Sequence, residues 1–188
     1  LLSHHLHQKI PPDSQQIVKA VRQEMRKFFI EADVGISGAN LAVAESGSLV
    51  IISNEGNARL VTSLPPVHIA LITVEKFVET LEQAASLIKA LTVASSGMKL
   101  TSYVSFITGP SRTTDIEKEL IIGAHGPQEL HIIILDNGRL KISQNSDLQQ
   151  ILACLKCGGC MLVCPVFQSV GGHIFGGPVY PGGIGVLL

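Results

Sequence analysis

The sequence predicts an α/β fold with an aliphatic core, and three observations carry that prediction. Apolar residues recur at helical spacing in two stretches, with short apolar runs bounded by turn residues between and after them. Trp is absent and aromatic residues make up only 4% of the chain, so a core must be built from Ile, Leu, Val and Ala. His131 to Leu135 is a continuous apolar run of the kind that a sheet buries on both faces. The 188 residues suffice for one domain, or one domain with a small appendage, and for a sizeable core.

Taken in order, residues 13–30 read as an amphipathic helix. Asp13 or Ser14 can cap it, and Ile17, Val18, Val21, Met25 and Phe28 recur on one side beneath a basic outer face. Strands are expected at Asn40–Ala44, Ser48–Ser53, Arg59–Thr62 and Val67–Thr73, where apolar runs alternate with turn residues. A covering helix follows at Val78–Leu91 through Leu81, Ala84, Ala85, Ile88 and Leu91, closed by Gly97. Tyr103–Thr108, Glu119–Ile122 and His131–Leu135 read as further strands, and Asp136-Asn137-Gly138 is a turn that ends the α/β block near Leu140. A short helix over Asp147–Ala153 then leads into the cysteines. Residues 171–185 hold seven glycines with Pro178 and Pro181 and read as an ordered Gly-rich loop; a flexible linker is the alternative, opposed by Ile174, Phe175, Val179, Tyr180 and Ile184. No internal repeat is present.

Composition narrows the function classes. Lys and Arg number 14 against 15 Asp and Glu, for a net charge of -1, so there is no broad electropositive surface for nucleic acid or anionic lipid. Hydrophobic residues reach 46%, yet no apolar run approaches the ~18 to 20 residues of a membrane-spanning helix. The N-terminal stretch with His4, His5 and His7 reads as neither a signal peptide nor a transit peptide, but as the cut end of a fragment. All four cysteines fall within eleven residues, whereas a disulfide framework spreads them along the chain.

Those cysteines carry the chemistry. Cys154-Leu-Lys-Cys157-Gly-Gly-Cys160-Met-Leu-Val-Cys164-Pro165 matches C-x2-C-x2-C-x3-C-P, the bacterial ferredoxin run that holds iron–sulfur clusters. Two-residue gaps let one tight loop aim three thiolates at three irons, and Gly158 and Gly159 let the backbone curl around them. Zinc is the rival, although zinc ribbons usually separate two C-x2-C pairs by ~15 or more residues. In a two-cluster domain the fourth cysteine of such a run serves the other cluster. Three arrangements stay open: a truncated two-cluster domain, Cys164 folding back to close a single 4Fe-4S cluster, or a ligand supplied by a partner.

Other polar groups have two readings each. Glu45, in the turn Glu45-Ser-Gly-Ser48, is either a nucleophile or a surface carboxylate. Asn57 and Arg59 lie in a polar turn that could hold an anionic ligand through backbone N–H groups and a guanidinium fork, or serve as a structural hairpin. Thr108-Gly-Pro-Ser-Arg-Thr113 offers the hydroxyls of Ser111 and Thr113 to an anion, or to its own turn; without a Lys it is no P-loop. His68 and His131 fall inside apolar runs and read as hydrogen-bonded core histidines, while His125 reads as a surface histidine and a weak general-base candidate.

The ferredoxin run follows Ala32-Asp-Val-Gly-Ile-Ser-Gly-Ala-Asn40, Glu45-Ser-Gly-Ser48, Asn54-Glu-Gly-Asn-Ala-Arg59, Leu64-Pro-Pro-Val-His68, Tyr103-Val-Ser-Phe-Ile-Thr-Gly-Pro-Ser-Arg-Thr113, Asp115-Ile-Glu117 and His125-Gly-Pro127. It is succeeded by Gly171-Gly-His173 and Val179-Tyr-Pro-Gly182. In this combination, from about Glu31 to Gly185, the chain resembles the lactate utilization protein B family, iron–sulfur subunits that carry a LUD domain. The resemblance implies a LUD α/β domain of NagB/RpiA/CoA-transferase-like type over 1–146, N-terminally incomplete. It implies a ferredoxin-type iron–sulfur segment over 147–188, lacking the family's second cysteine run. It further implies a cytoplasmic electron-transfer subunit whose partner subunits together oxidise L-lactate to pyruvate, with Cys154, Cys157, Cys160 and Cys164 as metal ligands and one or two 4Fe-4S clusters as cofactor. A homo-oligomer stays open. Two other classes compete: a ligand-sensing or partner-docking LUD module whose metal site is only structural, and a CoA-transferase-like enzyme with Glu45 as nucleophile.

Overall fold

The computed structural model describes residues 9–99 and 101–175. Residues 1–8 of the N-terminal stretch and the part of the Gly-rich segment beyond Phe175 lie outside them. The helices are α1 (Ser14–Glu31), α2 (Asn57–Ser63), α3 (Leu81–Ser96), α4 (Arg139–Ser143), α5 (Gly159–Val163) and α6 (Pro165–Val170). The strands are β1 (Val34–Gly38), β2 (Leu41–Val43), β3 (Ser48–Ser53), β4 (Val67–Thr73), β5 (Phe77–Val78), β6 (Tyr103–Ile107), β7 (Arg112–Thr113), β8 (Ile121–Ile122) and β9 (Glu129–Leu135). Short 3-10 turns occupy Val74–Lys76, Gln149–Ala153 and Gly172–Phe175. The result is mixed α/β, with sheets ordered β1-β4-β9, β5-β2-β3-β6 and β7-β8.

The chain separates into two compact, sequence-interleaved units. Among the described residues, one holds 9–37, 57–69 and 110–131; the other holds 38–56, 70–99, 101–109 and 132–175, with the cysteine run inside it. In the first unit, α1 begins where Asp13 accepts the Gln16 N–H at 2.9 Å, satisfying a donor that the helix itself leaves unpaired. No residue of α1 is buried: Val18 is 62% exposed and Ile30 60%. The stretch expected as a strand over Arg59–Thr62 is instead inside α2. Its apolar pair Leu60-Val61 is too short to establish a period, the Leu64 N–H reaches the Leu60 carbonyl at 3.0 Å, and Pro65-Pro66 stop the helix. β1 was not among the expected strands, because its glycines hide the alternation. Gly35 is required there by close approach: a Cβ would fall 2.0 Å from the Val61 carbonyl oxygen.

In the second unit, β2 and β3 pair antiparallel with Leu41 opposite Val50 and Val43 opposite Ser48, β6 continues antiparallel with Leu49 opposite Ile107, and β5 joins β2 parallel. Leu41, Val43, Val50 and Ala84 form the buried cluster, with Val78, Leu87, Ile88 and Val104 packed on it. Thus α3 covers this sheet as the helical spacing predicts. It starts at Thr80, whose hydroxyl accepts the Gln83 N–H at 3.3 Å, and ends at Gly97 with φ 67°.

Two burial expectations fail on β9. His131–Leu135 is a strand, but it is not buried on both faces: Ile134 is 53% exposed and Ile133 44%. The strand lies at the edge of its sheet, and neither of its faces is fully covered. His131 is accordingly exposed and hydrogen-bonds Glu129 at 3.0 Å rather than sitting in a core.

Candidate metal centre

The cysteine segment is built from tight turns. The 3-10 turn Gln149–Ala153 delivers the chain to Cys154, where a helix was expected over Asp147–Ala153. Lys156 has φ 56° and Gly158 φ 79°, two left-handed residues flanking Cys157 that reverse the backbone twice within three positions. Gly158 takes that conformation freely, whereas Lys156, an L-residue with a Cβ, takes it under strain. Gly159 serves close packing instead. A Cβ there would lie 3.2 Å from the Ala94 carbonyl of α3 and 3.6 Å from Cys157 Sγ, so the loop backbone rests directly on the helix. Cys160 then lies on α5, and Cys164 caps α6, its Sγ accepting the Phe167 N–H at 3.4 Å with Pro165 at the first helical position.

None of the four cysteines is in a disulfide; Cys154, Cys157 and Cys164 are half-buried and Cys160 is exposed. Among the described residues, no three His, Cys, Asp or Glu side chains are gathered closely enough to hold a metal ion. The donor set nevertheless suits a thiolate-bound group in kind, being four unbridged thiols at short spacing on a loop that already turns sharply between the second and third. Bringing them around a cluster takes side-chain rotation and local movement, in keeping with sites whose assembly is coupled to metal binding.

Beside this loop lies a charge cluster that the sequence did not reveal. The side chain of Glu75, in the 3-10 turn after β4, is 3% exposed. Its Oε1 accepts from Lys156 Nζ at 2.5 Å, and its Oε2 lies 2.8 Å from Arg139 Nε, an ion pair rather than a well-aligned hydrogen bond. Burial by itself raises the pKa of Glu75; Lys156, then its own backbone N–H, Thr73 and Arg139, outweigh burial and bring it from 4.5 down to about 2. Arg139, 4% exposed, also donates from Nη1 to the carbonyls of Asp136 and Asn137. Next in sequence, Lys76 donates to the Ala39 carbonyl at 2.8 Å; its burial, then the charge of Lys156, lowers its pKa. Lys156 and Cys157 together line a cleft of about 150 Å³ with Asn40, Asn54, Thr92 and Thr101. No local pattern marks Glu75; the only available signal was a charged pair, Glu75-Lys76, set between an apolar strand and a helix.

The remaining candidates are scattered and mostly occupied by their own backbone. Glu45 Oε1 accepts the Leu81 N–H at 2.7 Å, a carboxylate at the start of α3. Asn57 Oδ1 accepts from the Ala58 N–H, and Arg59 lies on α2 rather than in a hairpin. Ser111 and His125 do meet: Ser111 Oγ accepts the His125 N–H at 3.1 Å, the Ser111 carbonyl accepts the Gly123 N–H, and the Pro127 carbonyl accepts the Ser111 N–H. Thr113 Oγ1 accepts the Asp115 N–H at 3.2 Å. Both hydroxyls therefore brace the β7-β8 hairpin region, and His125 is exposed as expected. His68 is fully buried, Nε2 2.8 Å from Ser37 Oγ, with Nδ1 unpartnered and its pKa lowered by burial.

Residues 2–135 match the model of the LUD domain, and the chain belongs to that family. Over nearly its whole length it is similar to curated proteins called Lactate utilization protein B: 46% identical over 174 residues to that of Shouchella clausii, 44% over 174 residues to that of Macrococcus caseolyticus and 43% over 176 residues to that of Bacillus cytotoxicus. These alignments cover 93%, 93% and 94% of this chain and 34%, 34% and 35% of the relatives, so the chain spans about a third of their length. A crystal structure of a DUF162 family protein from Deinococcus radiodurans overlaps with a TM-score of 0.39 at 18% identity, covering 56% of this chain and 55% of that one.

Proposed function

We propose that this chain is the cluster-binding part of an iron–sulfur electron-transfer subunit that serves lactate utilization. The observation that carries this reading is the C-x2-C-x2-C-x3-C-P run in a chain of the LUD family. The similarity to proteins named for lactate utilization supplies the process. Cys154, Cys157 and Cys160 are the residues that would hold a 4Fe-4S cluster, with Cys164 closing it or serving a second one. Such a cluster, when bound, supplies one-electron transfer. The chain's own residues do the rest. Lys156 and Gly158 turn the loop sharply on either side of Cys157, and Gly159 seats it on α3. The family's partner subunits and the oxidation of L-lactate to pyruvate belong to this proposal, as does a cytoplasmic setting; among the described residues no helix is long and apolar enough to cross a membrane.

Iron and acid-labile sulfide content of anaerobically purified protein, with EPR after dithionite reduction, tests the reading. About four irons and four sulfides per chain with a reduced-cluster signal are expected. Zinc, or no metal after reconstitution, refutes it. A second reading, a partner-docking module with a structural metal site, is favoured by the exposed apolar residues of α1 and β9. Redox titration separates the two, because a relay cluster cycles reversibly and a structural one does not.

A further inference from the structure

We infer that Glu75 is a positioning residue for the cysteine loop, acting through Lys156, with Arg139 holding the carboxylate in place. The inference rests on the cluster reading above but is carried by different observations. Lys156 is one of the two residues between the first two cysteines, and its ammonium is drawn inward onto a carboxylate that is 3% exposed and 81 positions away in sequence. That carboxylate is itself fixed on its other oxygen by the buried Arg139, whose guanidinium is further tied to the Asp136 and Asn137 carbonyls. The anchor therefore links the 3-10 turn after β4, the start of α4 and the cysteine loop.

Backbone conformation points the same way. Lys156 is left-handed at φ 56°, a conformation that a residue with a Cβ keeps only where its surroundings over-determine it. The inward pull on its side chain is such a determinant. It also orients the adjacent peptide, so that Cys157 enters the turn at Gly158 and Gly159 meets the Ala94 carbonyl. A lysine at this position would ordinarily snorkel to water. Here a surface-type residue is committed to an internal contact, which is intelligible if the contact's purpose is to fix where the loop sits.

Hydrogen–deuterium exchange on the full cluster-free chain tests the anchor, with the amides of 154–164 read against those of β3 as an internal control. Lys156→Met is expected to speed exchange of 154–164 about tenfold while β3 amides keep their wild-type rates, and Lys156→Arg, which preserves the charge, is expected to restore protection. Glu75→Gln is expected to reproduce Lys156→Met. If Glu75→Gln unfolds the chain, seen as faster exchange throughout β3, the decision falls to the Lys156 pair. Wild-type exchange of 154–164 in a folded Lys156→Met protein overturns the proposal, as does failure of Lys156→Arg to restore it. A wild-type chain that takes up no iron or sulfide refutes the cluster reading alone, and the exchange result still decides the anchor.

Discussion

At the scale of single residues, the buried carboxylate of Glu75 and the buried guanidinium of Arg139 are paired with each other. Glu75 contributes stability through its depressed pKa, and the sign follows from the two protonation states. In the unfolded chain the carboxyl titrates near 4.5, in the folded chain near 2, so the folded state binds the proton more weakly. Its contribution is therefore fully present above about pH 4.5 and is lost as pH falls through that value toward about 2. Urea unfolding of wild type and Glu75→Gln across this window is expected to give a difference on the order of 3 kcal/mol at neutral pH, because the variant leaves Arg139 buried without its counter-charge. That difference should shrink steadily on acidification; a constant difference would mean that the carboxylate's charge is irrelevant to folding. His68 shows the opposite arrangement, kept neutral in the interior with a single hydrogen bond to Ser37. Sequence reasoning identified His68 as a core histidine from the apolar residues around it, but the same reasoning misread His131. The local composition of the two is alike; what differs is whether the strand is central or at the edge of the β1-β4-β9 sheet.

At the scale of elements, α3 is the best specified. Its N-terminal donors are satisfied by Thr80 for Gln83, by Glu45 for Leu81 and by the Thr80 carbonyl for Ala84, while Gln83 Oε1 accepts the Glu79 N–H at 2.9 Å. Removing the side-chain acceptors one at a time is expected to cost about 1 kcal/mol each, so Thr80→Ala and Glu45→Ala should lower the urea midpoint by similar small amounts. Glu45→Gln keeps an oxygen acceptor and is expected to lose less than Glu45→Ala; equal losses would remove the hydrogen bond to Leu81 as the explanation. Helix α3 and strands β3 and β4 were readable because period, cap and turn residues agree. Helix α2 was not, since its short apolar segment satisfies strand and helix patterns equally and only the following prolines and the close packing of Gly35 on Val61 distinguish them.

At the scale of the whole molecule, burial is unevenly distributed. Among the described residues, the buried Ala, Val, Leu and Ile side chains all belong to the second unit, whereas α1 buries none of its residues. Exposed aliphatic groups concentrate on α1 and on β9, where Ile132, Ile133, Ile134 and Leu135 are each at least 40% exposed. Apolar surface of this kind favours association. Light scattering across a concentration series is expected to show an apparent mass that rises with concentration, and Ile132→Thr with Ile134→Thr should reduce the rise. A mass that stays monomeric throughout would exclude β9 as an association surface for this chain.

The sequence by itself determined the α/β class, the cap of α1, the strand at Ser48–Ser53, the covering helix and the cysteine run, because each is written in residues close together in the chain. Spacing also gave the cysteine run as a pattern, with the four thiols within eleven residues of one another. Tertiary structure alone decided which apolar runs are covered, as β9 shows, and which charges are internal. It alone brought Glu75, Arg139 and Lys156 together. An ion pair between residues 81 positions apart leaves no periodicity to read; it exists only because the folded backbone carries a turn, a helix start and a cysteine loop to the same point.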